Sequence, residues 1–337
     1  MSRRNFLKQS SALGATSLLG IPGLASAEPP PEVRTVRFIF APAMCMAPQY
    51  IAEVLLRAEG FEHVEYVRTT APSGKYTKIW LPGQISEGKA DFTMSASPGI
   101  VSAIDSGAPI KAIAGIHAGC YELFGHGPVK SVRALKGRTV AVAEYGDERL
   151  FISSMMAYVG LDPQRDIKWI TTASQDESMQ AFLDGRVDAF LGFPPQPQEL
   201  RARRIGQMFL STANDRPWSQ YFCCMVLGNR DFVERYPIAT KKVLRAILKA
   251  ADVCGNEPER AARYMVDKGY VKDYTYALGL VTELPYRRWR DSDPEDSLRF
   301  YALRLREVGM VRNAPQKIIS QGADWRFLNE LKKEMKV

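Results

Sequence analysis

The sequence predicts an α/β protein of two lobes built to one plan, with a helical C-terminal part. Three observations carry that prediction. A nine-residue pattern, Glu87-Gly88-Lys89-Ala90-Asp91-Phe92-Thr93-Met94-Ser95, is echoed 97 positions later as Asp184-Gly185-Arg186-Val187-Asp188-Ala189-Phe190-Leu191-Gly192. Each copy follows an amphipathic helical stretch, Tyr76 to Ser86 and Glu177 to Leu183, and its glycine offers the left-handed residue that ends a helix. Each then runs into a short apolar strand closed by Ser95-Ala96-Ser97-Pro98-Gly99 or by Gly192-Phe193-Pro194-Pro195. Ligands of open α/β sheets sit beyond the carboxyl ends of the strands, so both closing turns are expected to face one shared cleft.

The remaining elements follow in order. After the Pro-rich leader Glu28 to Glu32, Arg34 to Phe40 alternates basic and apolar residues and reads as the first strand. The turn 41–46 leads into a helix from Ala47 to Glu59, with Pro48 tolerated in its first turn and Gly60 ending it. His63 to Arg68 is a second strand. A helix opens at Pro98-Gly99 and closes at Gly107, and Ile110 to His117 is a strand leaving this lobe. The second lobe opens with Leu135 to Val142, a turn feeding a buried strand. Glu144-Tyr145-Gly146-Asp147 then caps a helix that runs to Val159. Gly160 to Pro163 breaks it, Ile167 to Thr172 is a strand, and the echo follows. After Gln207 to Ser211 the chain returns to the first lobe through Pro217 to Phe222. Helices are expected over 237–254, 258–268, 274–282 and 294–308, the last with Asp293 as N-cap and Pro294 at its first position.

Ser2-Arg3-Arg4-Asn5-Phe6-Leu7-Lys8 matches a twin-arginine export signature, followed by a weakly apolar stretch from Ser10 to Ala25 and an Ala25-Ser26-Ala27 cleavage site. Residues 1–27 are therefore expected to be a signal peptide, with a mature chain from Glu28 working in the periplasm; an uncleaved anchor is the alternative. The net charge of +8 falls to +5 without Arg3, Arg4 and Lys8. That mild balance, with no nucleic-acid motif, leaves the basic runs 201–204 and 287–290 as solvated helix faces. Hydrophobic residues at 46% and charged residues at 24% are those of an ordinary globular protein.

The five cysteines, Cys45, Cys120, Cys223, Cys224 and Cys254, are odd in number. They are expected to be mostly buried thiols acting as small apolar residues, with a disulfide as the alternative. Cys223 and Cys224 point to opposite faces if they lie on a strand. Enzyme constellations are missing: no G-x-G-x-x-G, no Walker loop (Tyr76 stands in Ser73-Gly74-Lys75-Tyr76-Thr77 where Ser or Thr is needed), no G-x-S-x-G, and only three histidines. His117-Ala118-Gly119-Cys120 with His126 has loose metal-like spacing, but His117 reads as a polar strand end. Asp291 to Asp296 reads as helix capping and not as a calcium loop. No catalytic residue, cofactor or metal is expected.

The helix carrying Tyr50-Ile51-Ala52-Glu53 and ending at Glu59-Gly60-Phe61, both Gly-x-x-Asp echoes, and Leu135-Lys136-Gly137-Arg138-Thr139-Val140 resemble one known group. They are similar to ABC-importer substrate-binding proteins of the nitrate/sulfonate/taurine (SsuA/THI5-like, NMT1) family. The resemblance covers the mature chain and implies a type II periplasmic-binding-protein fold, two α/β lobes joined by two crossing segments. It places lobe 1 at 28–118 with 219–337 and lobe 2 at 119–218. It implies a monomer that hands a small-molecule solute to a membrane permease. Carried onto this sequence, it nominates Met46, Gln49, Ser95 and Ser97 in the first lobe and Glu144, Tyr145, Asp147 and Phe193 in the second. His117, Tyr121, Trp218 and Tyr221 lie near the crossings.

Glu144 and Asp147 stand where a bound anion would be repelled. Either they point away, with Asp147 capping its helix, or the ligand is neutral, cationic or heteroaromatic. The aromatic residues Tyr121, Tyr145, Phe193, Trp218 and Tyr221 would suit a flat ring, so a small organic ligand is favoured. The alternatives are a sensor or scaffold that presents ligand to a membrane receptor, and an iron-dependent pyrimidine-precursor synthase. For the synthase, Phe222-Cys223-Cys224-Met225 is a partial echo of a cysteine-rich motif.

Overall fold

Two five-stranded sheets carry the molecule, and they share one strand plan. The computed structural model describes residues 28–70 and 80–336. The expected signal peptide, its expected cleavage site and residues 76–79 of the expected first echo helix lie outside the described residues. Pro31 onward folds as one unit.

The first half of the chain contributes β1 (Thr35–Ile39), α1 (Ala47–Ala58), β2 (His63–Val67), α2 (Trp80–Ser86), β3 (Phe92–Ala96), α3 (Ser97–Asp105) and β4 (Ile110–Ala118). It crosses to β5 (Glu122–Gly125), β6 (Thr139–Ala143), α4 (Glu148–Tyr158), β7 (Lys168–Thr172), α5 (Gln175–Leu183), β8 (Ala189–Gly192), α6 (Gln196–Arg203) and β9 (Gln207–Ser211). It then returns in β10 (Phe222–Asn229) and ends in α7 (Arg230–Arg235), α8 (Pro237–Asn256), α9 (Pro258–Asp267), α10 (Tyr274–Glu283), α11 (Pro294–Glu307), α12 (Pro315–Gly322) and α13 (Arg326–Glu334). The sheet orders are β2-β1-β3-β10-β4 and β7-β6-β8-β5-β9. In each, a parallel trio is followed by one antiparallel strand and by an edge strand that runs with the trio again.

The echo has a structural cause. Gly88 and Gly185 both adopt φ +70, the left-handed turn that releases each helix into its strand. Three residues on, the aspartates do one job twice. Asp91 accepts the amide of Arg37 at 2.8 Å and returns its own amide to the Arg37 carbonyl at 2.9 Å. Asp188 accepts the amide of Thr139 at 2.8 Å and donates its own to the Thr139 carbonyl at 2.8 Å. Each thereby clamps the middle strand to its neighbour, within β1 in the first sheet and at the start of β6 in the second. β3 and β8 follow with every residue buried, which explains their unbroken apolar runs.

The crossings are tied to each other. Thr212 donates its amide to the Tyr121 carbonyl at 2.9 Å, and the Tyr121 amide donates back to Thr212 Oγ1 at 3.0 Å. Just before, Gly119 has φ +75, and a Cβ there would overlap the Ala213 backbone.

Five elements escape the sequence reading, β5, α6, α7, α12 and α13, and β10 is left open there. β5 is only four residues long, and it is a strand because β8 and β9 pair with it on both edges. Its Gly125 leaves room for the Val129 carbonyl. The expected opposition of Cys223 and Cys224 also fails, because β10 is irregular on both sides of Cys224. A bulge breaks the alternation of faces.

Asp91→Ala should lower the unfolding free energy by about 2 kcal/mol, the worth of hydrogen bonds to a charged acceptor. Asp188→Ala should cost less, since its side chain is 36% exposed against 8% for Asp91. Chemical denaturation reads both values. Gly119→Ala should cost about 3 kcal/mol through backbone strain and the clash with Ala213.

Candidate functional site

A cavity of about 330 Å³ opens where the two sheets turn their strand ends toward each other. That is the size of a small-molecule site. The first sheet supplies Phe40 to Ala43, Cys45 and Met46 after β1, then Met94 to Ala96 from β3 and Cys224 from β10, with Trp80 and Leu81 from α2. The crossing supplies Cys120 and Tyr121. The second sheet supplies Tyr145 to Glu148 between β6 and α4, and Phe193 after β8. Both turns that close the echoes therefore reach the cavity.

Of the twelve nominated residues, the cavity brings together Met46, Ser95, Tyr121, Tyr145, Asp147 and Phe193. Ser95 is 2% exposed, and its Oγ lies buried without a protein partner. The other six lie elsewhere. Gln49 is fully buried and stitches β1 to β3, donating to the Ile39 carbonyl and accepting the Met94 amide, both at 3.0 Å. Ser97 donates to the Phe222 carbonyl at 2.7 Å, which fastens α3 to β10. Glu144 turns to a second cavity, lined also by Arg149 and Trp169. Trp218 packs edge-on against Tyr158 and Phe300, and Tyr221 stacks on Phe300 with centroids 4.0 Å apart. These two aromatics serve the core behind the crossing.

His117 lies under the floor. Its ring nitrogens sit 3.0 Å from the Cys45 carbonyl and 3.2 Å from the Ala118 carbonyl. Two acceptors favour an imidazolium. Burial opposes that charge, but nearby Cys224 prevails and the ring is raised above its ordinary value.

Sequence reasoning missed Phe40, Trp80, Glu148 and the cysteines. Glu148 is 2% exposed, and its carboxylate folds back over Gly146, where a Cβ would collide with Oε2. A side chain at Gly146 would push that carboxylate from its place. The signal was the Gly146-Asp147-Glu148 run, of which the sequence reading nominates Asp147, as a cleft acid or a helix cap, and passes over Glu148. Asp147 does hold the N-cap position of α4, yet its backbone is helical (φ −82, ψ −8) and its side chain makes no capping bond. A capping carboxylate needs an extended backbone to swing back onto the helix amides. Asp147 Oδ1 instead lies buried without a protein partner, as does Glu148 Oε2. Burial pushes the Glu148 carboxyl up to about 7. Burial, then neighbouring Glu148, holds Asp147 well above the carboxylate range. No lysine, arginine or histidine stands among the described lining residues.

The cysteines are all free and buried. Cys45, Cys120 and Cys224 place their sulfurs within 4.8 Å of one another. Cys223 Sγ lies 3.2 Å from Cys120 Sγ. Hydrogen bonds from Cys120, Cys223 and Cys45 hold the Cys224 thiol well below its ordinary value. Cys254 is buried in α8 and is not one of this group.

Among solved structures, the chain is similar to the periplasmic nitrate-binding protein NrtA from Synechocystis PCC 6803. The TM-score is 0.73 at 16% identity, over 92% of this chain and 91% of that one. It is also similar to the periplasmic aliphatic sulphonate-binding protein SsuA from Escherichia coli, with a TM-score of 0.62 at 15% identity, over 85% and 91%. These likenesses establish the type II periplasmic-binding-protein fold. In sequence, 116 residues are 27% identical to the bicarbonate-binding protein CmpA of Synechococcus elongatus, covering 34% of this chain and 25% of that relative's length. The model of the NMT1/THI5-like family matches residues 77–261, more than half of the 337. The chain belongs to the NMT1/THI5-like family.

Proposed function

We propose that the chain is the solute-binding component of an ABC importer, exported to the periplasm, and that its cleft takes a small organic molecule carrying a basic nitrogen. The observation that carries the ligand class is the acid pair. Asp147 and Glu148 are buried at the cavity wall with unpartnered oxygens and no basic residue among the described lining. An uncompensated buried carboxylate is costly, and a cationic or strongly hydrogen-bond-donating ligand removes that cost. Nitrate, sulphonate and bicarbonate, named for the relatives, would meet two acids instead. Phe40, Trp80, Tyr121, Tyr145 and Phe193 line the same space and suit the faces of a ring or an alkylammonium group.

In this reading 28–118 with 219–337 and 119–218 are two lobes that close about the tied crossings, and the closed form docks on the permease. The reading is of a receptor, not an enzyme. His117 is fully buried with both nitrogens engaged, so it is not placed to move a proton to a ligand. A sensor that presents ligand to a membrane receptor would use the same cleft. Loss of solute uptake on deleting the gene separates the importer component from it.

A thermal-shift panel of organic cations, neutral heteroaromatics and small anions on the mature protein tests the ligand class. A cationic hit is expected to raise the midpoint by several degrees, whereas hits confined to anions would overturn the reading. Glu148→Gln should weaken the cation roughly 10- to 100-fold, measured by calorimetry. The pH dependence has a fixed sign. Glu148 binds its proton more tightly folded than unfolded, so stability is full below about pH 4.5 and declines as pH rises toward about 7. The loss is on the order of 3 kcal/mol. Glu148→Gln should flatten that decline in ligand-free protein, leaving the part due to Asp147. An unchanged slope would show that Glu148 does not titrate there.

A further inference from the structure

We propose that Cys45, Cys120 and Cys224 form a site for one soft, sulfur-seeking cation of the monovalent-copper class, set into the floor of the cleft. The three sulfurs come from unrelated stretches of chain: the turn after β1, the crossing between β4 and β5, and strand β10. All three residues are buried, and their sulfurs lie within 4.8 Å of one another. A metal bonded to each sulfur at about 2.3 Å would hold the sulfurs roughly 4 Å apart. The present spacing reaches that by small side-chain rotations.

Two features of the backbone bring the thiols together. Cys120 has φ +129, a conformation that residues with a Cβ rarely adopt, and it is held there between Gly119 and the Tyr121–Thr212 tie. β10 is irregular on either side of Cys224. That lets Cys224 join Cys45 and Cys120 while its neighbour Cys223 also reaches Cys120 at 3.2 Å. Simple packing of small apolar residues requires neither feature.

The donor set selects the cation. Thiolate and thioether sulfur favour monovalent copper among the common metals, whereas calcium and magnesium demand oxygen. Met46 and Met94 line the same cavity, so the floor is rich in soft donors. Three converging thiols suit a three-coordinate ion better than tetrahedral zinc. Binding displaces thiol protons and involves no electron transfer. The inference does not depend on the organic ligand: the acids belong to the second sheet's turn, the cysteines to the first sheet and the crossing.

The test uses the exported protein purified from the periplasm, reduced without oxygen and titrated with monovalent copper held by a chromophoric chelator. One equivalent per chain should be withdrawn from the chelator, and X-ray absorption should find sulfur-only coordination. Cys45→Ser and Cys224→Ser should each weaken copper at least 100-fold while keeping the metal-free melting profile. Cys254→Ser, a buried cysteine outside the group, should bind as the parent does. The proposal is overturned if no copper is withdrawn, if Cys254→Ser loses it equally, or if zinc displaces copper. It is also overturned if peptide mapping of the unreduced protein finds Cys120 and Cys223 joined by a disulfide.

Discussion

The tie between Tyr121 and Thr212 is the interaction on which the rest depends. The chain leaves the first sheet at Ala118 and re-enters it at Phe222, and every strand between lies in the second sheet. Where the two passages meet, they exchange backbone and hydroxyl hydrogen bonds at 2.9 and 3.0 Å, and Gly119 lets them approach without a Cβ between them. This fixes which strand ends face each other. It also sets Tyr121 and Cys120 into the cleft, so the same few residues serve as joint and as lining.

The repeated aspartates make the second constraint. Asp91 and Asp188 bind an amide of the neighbouring strand in the same way, Arg37 within β1 and Thr139 at the start of β6, and so fasten each buried strand to its neighbour. Beyond them the halves diverge. The first offers hydroxyl and sulfur through Ser95, Met46, Cys45 and Cys224; the second offers carboxyls through Asp147 and Glu148. Two copies of one frame have thereby acquired opposite chemistries, soft on one wall and acidic on the other.

The fold was legible because its signals are local. A glycine at the end of each echo helix, an apolar run and a proline-bearing turn mark β3 and β8 in the sequence itself. The strand β5 was not legible, since a four-residue strand exists only through the neighbours that pair with it. The cleft was read in part. Turns after strands led to Met46, Ser95, Tyr145, Asp147 and Phe193. Gln49 and Ser97 came from the same rule, and Trp218 and Tyr221 from their places near the crossings, but their side chains are spent on stitching and stacking. The sulfur group was invisible because its members stand up to 179 positions apart and a bulge decides where Cys224 points. Glu148 was hidden by a capping pattern that the backbone at Asp147 does not support.

The central claim is that a buried acid pair, rather than a basic pocket, selects the solute. It is tested most directly by isolating the protein from the cells that make it under native conditions and identifying what it carries by mass spectrometry. The account predicts a small organic molecule with a basic nitrogen, released when Asp147 and Glu148 are both replaced by their amides. Recovery of a nitrate, sulphonate or carboxylate that survives this replacement would contradict it.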